Sequence, residues 1–108
     1  MEKYIIVRTY CNNEKVAKKI IESLLTQMLV SGSQLSEVQS KYWWNNEFEE
    51  CKEYKLEFRS KLSLFEEIKQ EILKIHDYET AEVSYSIIDG ANKEIFDWIE
   101  KNTKNRKR

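Results

Sequence analysis

The chain has 108 residues, 18 Lys and Arg against 19 Asp and Glu, a formal net charge of -1 and no proline. That length holds one domain near the lower size at which a core supports itself, and so even a balance gives no bulk attraction to nucleic acid or to an anionic membrane. Two glycines leave no Gly-rich phosphate loop, and two cysteines outside any C-x-x-C spacing give neither a disulfide framework nor a zinc knuckle.

Residues 4–10, with Tyr4, Ile5, Ile6, Val7 and Tyr10, form a short, nearly continuous apolar run expected as a central strand covered on both faces. Asn12 or Asn13 can cap a following helix, with Glu14 in its first turn. Val16/Ala17, Ile20/Ile21, Leu24/Leu25 and Met28/Leu29 then recur every four residues. Gly32, between Ser31 and Ser33, is expected to close that helix and let the chain reverse.

From residue 34 to 44 the positions Ser36, Val38, Ser40, Tyr42 and Trp44 share one face of a predicted strand, and Glu37, Gln39, Lys41 and Trp43 share the other. Asn45 and Asn46 suit the positive φ values of a two-residue turn. A second alternation follows, Tyr54, Leu56 and Phe58 against Lys55, Glu57 and Arg59, which makes a long β-hairpin with aromatics near its tip. Ser63 and Glu66 are spaced as a capping box for a helix that turns Phe65, Ile68, Ile72 and Ile75 inward and ends at His76 and Asp77. Val83, Tyr85 and Ile87 mark a last strand. Asp89-Gly90 then turns into a short helix expected to bury Ile95, Trp98 and Ile99. Residues 1–103 are thus one domain and residues 104–108 a basic tail.

The order β-α-β-β-α-β-α predicts an α+β fold, a ferredoxin-like βαββαβ sandwich with a long central hairpin and a short C-terminal helix. Two helices cover one sheet face. The other face, with an apolar surface and an overlong hairpin, calls for self-association.

Val7-Arg8-Thr9, the helix start Glu14-Lys15-Val16-Ala17, the hairpin run Ser40-x-Tyr42-x-Trp44 and the stretch from His76 to Val83 carry a resemblance. Through them nearly the whole chain resembles the CutA family of divalent-cation tolerance proteins, the first two being similar to that family's first strand and helix. Ser40-x-Tyr42-x-Trp44 matches its S-x-Y-x-W, two residues before a usual glycine that is Asn46 here. The stretch from Glu53 to Ser60 is similar to the family's next strand, which normally ends in Lys-Thr. His76-Asp77-Tyr78-Glu79-Thr80-Ala81-Glu82-Val83 is similar to H-P-Y-x-x-P-E followed by Ile or Val, with both prolines replaced, and Ile95-Phe96-Asp97-Trp98-Ile99 stands at Y-L-x-W. Two features depart from the pattern. Residues 30–36 read VSGSQLS where the family has A-C-V-N-I-x-P, and Arg8 stands where some members carry a cysteine.

No apolar run approaches the roughly 20 residues that cross a bilayer and the start has no signal-like pattern, so a cytoplasmic protein is expected. The resemblance implies a homotrimer whose hairpins reach across to neighbouring subunits, a build similar to trimeric PII-type signal proteins, and a link to tolerance of copper and other divalent ions. His76, Glu82 and Cys11 are its candidate ligands for copper or zinc, since imidazole, carboxylate and thiolate suit those metals. The alternative reading has His76 capping the helix, Glu82 bonding to backbone and Cys11 as a small buried hydrophobe. Ser40, Tyr42 and Trp44 are candidates for the oligomer interface, where Tyr and Trp serve as anchors. Tyr78, Trp98 and Arg59 are candidates for an intersubunit cleft binding a small molecule or a partner. With one histidine, no G-x-S-x-G and no H-E-x-x-H, an enzyme is not expected; nor is a nucleic-acid or membrane partner.

Overall fold

The computed structural model describes residues 1–105. Strand β1 (Tyr4–Cys11) leads through Asn12 and Asn13 into helix α1 (Glu14–Thr26). The Asn13 side chain accepts from the amides of Lys15 and Val16, and Glu14 sits in the positively poled first turn. Strands β2 (Gly32–Trp44) and β3 (Glu47–Lys61) form the hairpin. A single 3-10 turn at Leu62–Leu64 opens helix α2 (Phe65–Ile75), and β4 (Val83–Ile87) and helix α3 (Lys93–Lys101) follow. The sheet runs β2-β3-β1-β4 with every pairing antiparallel, the ferredoxin-like order expected from the alternation of elements.

The core lies between one sheet face and α1 and α2. Ile5, Val7 and Cys11 of β1, Leu56 and Phe58 of β3, Ala17, Ile20 and Leu24 of α1, and Ile68 and Ile72 of α2 are all fully buried. The register places Thr9 opposite Leu56 and Val7 opposite Phe58, so the buried rows of the central strands coincide. β1 alternates buried and half-buried residues along its length, so its continuous apolar character hides a one-sided strand.

The opposite face is not bare and apolar as expected. Where β1 and β3 pair, it carries ions. The Arg8 Nε donates to Glu57 at 2.7 Å, its guanidinium also reaches Ser86 Oγ at 2.7 Å, and Lys55 stands 3.8 Å from Glu57. Helix α3 covers one end of this face. Tyr4 stacks on Phe96 with ring centroids 4.8 Å apart, and the buried Lys61 ammonium lies 3.7 Å from Glu100. Of the three α3 residues expected inside only Ile99 is fully buried; Ile95 and Trp98 stay 36% and 41% exposed, because so short a helix on a sheet end turns one row inward.

Four local expectations give way to different solutions. The residue that reverses the chain after α1 is Met28, with φ 56, while Gly32 begins β2. Gly32 serves close approach: a Cβ there would lie 2.8 Å from the Trp98 ring. The capping box does not form, since Ser63 lies inside the 3-10 turn and its hydroxyl donates to Glu2 at 2.7 Å, leaving Glu66 to pair with Lys69. Gly90 has no positive φ and open space around it. Lys104, the first residue assigned to the tail, is held by its amide to the Met28 carbonyl at 2.8 Å and by its ammonium to Glu67 at 2.6 Å. Residues 106–108 of that tail lie outside the described residues.

Candidate functional site

β3 is longer than the strand beside it. β1 pairs with it only from Tyr54 to Lys61, so beyond Cys11 the hairpin runs on without that neighbour. The segment between α2 and β4 takes the vacated place, and candidate site residues meet there.

His76 is the C-cap residue of α2, its amide donating to the Ile72 carbonyl at 2.8 Å. Its imidazole is buried, with the side chain 1% exposed. Nδ1 accepts the Tyr78 amide at 3.2 Å, which leaves the proton on Nε2, 2.7 Å from the Tyr10 carbonyl oxygen it donates to. Cys11 Sγ is 3.7 Å from the same nitrogen. The Cys11 thiol is fully buried, and burial first, then the carboxylates of Asp77 and Glu53, pushes its pKa up to about 11. Tyr78 packs its ring on His76, with centroids 4.6 Å apart, and donates its phenol to the buried Glu53 at 2.6 Å. Burial and then Glu53 raise the Tyr78 phenol well above the usual range, so it remains a donor at any physiological pH.

Cys11 and His76, 65 residues apart in sequence, are therefore brought together. Glu82 is not on that point. It is exposed, accepts from Ser84 Oγ at 2.8 Å, and edges a separate depression with Tyr10, Ser40 and Tyr42. Among the described residues no three His, Cys, Asp or Glu side chains gather closely enough to hold a metal ion. A metal at Cys11 and His76 would have only two donors, both carrying a proton, with the imidazole nitrogen already committed to Tyr10. The residues present thus supply part of a soft-metal site rather than a finished one.

On the hairpin, Asn45 and Asn46 take φ values of 51 and 66, and the two-residue turn joins Trp44 directly to Glu47. Ser40 faces Cys51, and Tyr42 faces Glu49 with its hydroxyl 3.6 Å from Cys51 Sγ. Trp44 and Tyr42 are each 39% exposed on the sheet side away from α1 and α2, while Trp43, on the reverse side, is 67% exposed and stacks on Phe48 at 4.2 Å. The hairpin tip thus exposes rings on both faces.

Within one chain Tyr78 stands apart from Trp98 and Arg59. Trp98 covers Gly32, the partner of Arg59 in the β-ladder, whereas Tyr78 lies against Glu53, six residues or about 20 Å away along β3. A cavity of about 410 Å³ does open beside Tyr78, between the segment after α2 and the hairpin residues Tyr42, Trp44 and Glu49. No sequence signal joins these two segments, because they meet only where β1 stops short.

The CutA1 divalent ion tolerance protein family matches residues 5–102 of this chain. The chain belongs to that family. A divalent-cation tolerance protein CutA of Pyrococcus horikoshii is 30% identical over 100 residues, covering 93% of this chain and 98% of its own. The crystal structure of CutA1 from Pyrococcus horikoshii superposes with a TM-score of 0.88 at 29% identity, covering 94% of this chain and 99% of that one. The same fold, at 22% identity and a TM-score of 0.88, is found in a protein of Archaeoglobus fulgidus described as a periplasmic divalent cation tolerance protein CutA, over 92% of this chain and 97% of that one. No helix among the described residues of this CutA1-family chain is long and apolar enough to cross a membrane.

Proposed function

We propose that this chain is a non-enzymatic cytoplasmic protein of divalent-cation tolerance that works as a homotrimer and engages copper or zinc through Cys11 and His76. The observation that carries the metal reading is the 3.7 Å approach of a thiol and an imidazole nitrogen, a soft and a borderline donor at one point. Uptake would exchange the His76–Tyr10 hydrogen bond for a metal bond, with the Nε2 proton passing to Nδ1 as that nitrogen gives up the Tyr78 amide, and would release the Cys11 proton to solvent, so affinity rises with pH. Glu82 stays outside this centre. Calorimetry with copper and zinc on tag-free protein tests it. Binding that strengthens from pH 6 to pH 8 and disappears in His76→Ala and Cys11→Ala is expected; binding untouched by both substitutions defeats the assignment.

Support for assembly comes from the exposed rings at the hairpin tip, since Tyr42, Trp43, Trp44 and Phe48 on one projecting ribbon are costly to leave in water. Trp44→Ala is expected to weaken association by about 2 kcal/mol per subunit contact while the circular dichroism of the fold is kept. A monomeric mass for the parent chain in light scattering at micromolar concentration would overturn the trimer. A second reading, a signalling trimer that takes a small molecule or a partner at a subunit boundary, is favoured by the cavity between the hairpin and Tyr78.

A further inference from the structure

The cavity beside Tyr78 has a lopsided chemistry. Three rings wall it, those of Tyr42, Trp44 and Tyr78. Three carboxylates border it as well, Glu49, Asp77 and Glu79, and among the described residues no Lys, Arg or His side chain lines it. The amide of Asn12 and the hydroxyl of Thr80 complete the wall. Some surface acids are answered by bases, as with Lys52 and Glu37, Lys69 and Glu66 or Lys93 and Asp97, and others stand alone; what sets the cavity apart is that its acids surround three rings. Among the described residues Glu49 and Glu79 have no such partner. Asp77 lies 3.8 Å from His76 Nδ1, but that nitrogen accepts the Tyr78 amide and carries no proton for it.

The arrangement selects among cations. A hard divalent ion needs several oxygens about 2.0–2.6 Å from one point, and these carboxylates do not converge. A large, diffuse charge has no such need: it is held by ring faces, Trp best, and by carboxylates spread around its rim. Both phenols keep their protons, with Tyr42 pushed up to about 12, chiefly by its hydrogen bond with Cys51, so their rings present neutral faces. A volume of about 410 Å³ falls within the range of small-ligand pockets.

We propose that this cavity is a receptor for an organic cation, an ammonium or guanidinium group held by Tyr42, Trp44 and Tyr78 and neutralised by Glu49, Asp77 and Glu79. The group has two sources, a free polyamine or arginine-like molecule, or a basic side chain of a neighbouring copy. The second rests on the assembly proposed above; the first does not.

The test titrates the full chain with spermidine and with L-argininamide, following tryptophan fluorescence and heat, with magnesium chloride at matched ionic strength as control. Parallel light scattering compares the parent with E49Q/E79Q and with Glu22→Gln, an exposed carboxylate on α1. Saturable probe binding that magnesium does not displace, weakened about tenfold or more in E49Q/E79Q, supports the site with a free ligand. Absence of probe binding to the assembled parent, together with association weakened about tenfold or more in E49Q/E79Q and unchanged in Glu22→Gln, supports it with a neighbour's side chain. The proposal is overturned if no probe binds up to about 10 mM and E49Q/E79Q assembles like the parent, or if magnesium displaces the probe as well as equal charge would. A monomer that binds spermidine sinks the assembly and keeps the receptor. A trimer showing neither effect does the reverse.

Discussion

Over residues 53–61 β3 buries Glu53, Leu56, Phe58, Ser60 and Lys61, whereas over residues 47–52 only Cys51 is even half-covered. Both stretches belong to one continuous strand in one unbroken register with β2. The difference lies in what stands beside and beneath them. The rooted half has β1 at its flank and the rows of α1 and α2 below; the projecting half has only its own partner arm. Backbone pairing alone therefore extends a ribbon well past the point where a core can support it, and the surplus is available for contacts that folding does not require.

The largest break in that comparison comes from truncating equivalent rings in each half. Phe58→Ala empties a fully buried site and is expected to cost about 3–5 kcal/mol in urea denaturation. Phe48→Ala, at a position 61% exposed, is expected to cost about 1 kcal/mol or less, the worth of its stacking on Trp43. Equal losses would mean that the tip is part of the folding unit. Next in size is Gly32→Ala at the root. The added methyl would stand 2.8 Å from the Trp98 ring, so a loss of about 1–3 kcal/mol is expected. Most of it should return in the double variant with Trp98→Leu, and strictly additive losses would contradict the close approach.

Each half also has a cysteine. The half-buried Cys51 is expected to react with iodoacetamide well before the buried Cys11, whose thiol is held protonated up to about pH 11. A buried thiol with a raised pKa stabilises the fold fully below its unfolded value near 9, and that contribution fades as pH climbs through about 11. Stability should therefore fall more steeply between those limits in the parent than in Cys11→Ala, and parallel curves would refute the burial effect. The smallest effect is Asn46→Gly, which relieves a φ of 66 and is expected to add about 0.5 kcal/mol or less, read as a small rise in Tm.

What the sequence conveys about this molecule follows how local each signal is. Alternation in residues 34–44 and 54–59, with Asn45-Asn46 between them, specifies the hairpin and its register, because the turn and the period act over neighbours. The four-residue recurrence in α1 does the same for its buried row. Signals that depend on remote geometry mislead or are silent. Gly32 looks like a helix stop, yet its small size answers to Trp98, 66 residues away. Ser63 and Glu66 have capping-box spacing, but Glu2 claims the serine. Cys11 and His76 were both legible as donors, while their shared point, and the two bonds that already occupy the imidazole, depend on where β1 ends. Tyr78 is legible as a cleft residue through the family resemblance, while its meeting with Tyr42, Trp44 and Glu49 is not, for the same reason.

The two-residue turn at Asn45-Asn46 has a further result for how such a protein can change. Side chains alternate along each arm, so a single residue inserted into or deleted from one arm between its root and the turn would exchange the outward and inward positions of that arm on the tip side. In β2 Trp43 would then point where Trp44 now does, and in β3 the acid at position 49 would leave the cavity. Length variation in this ribbon is therefore tolerable only in matched steps of two per arm, and the finger grows or shrinks by whole pleats.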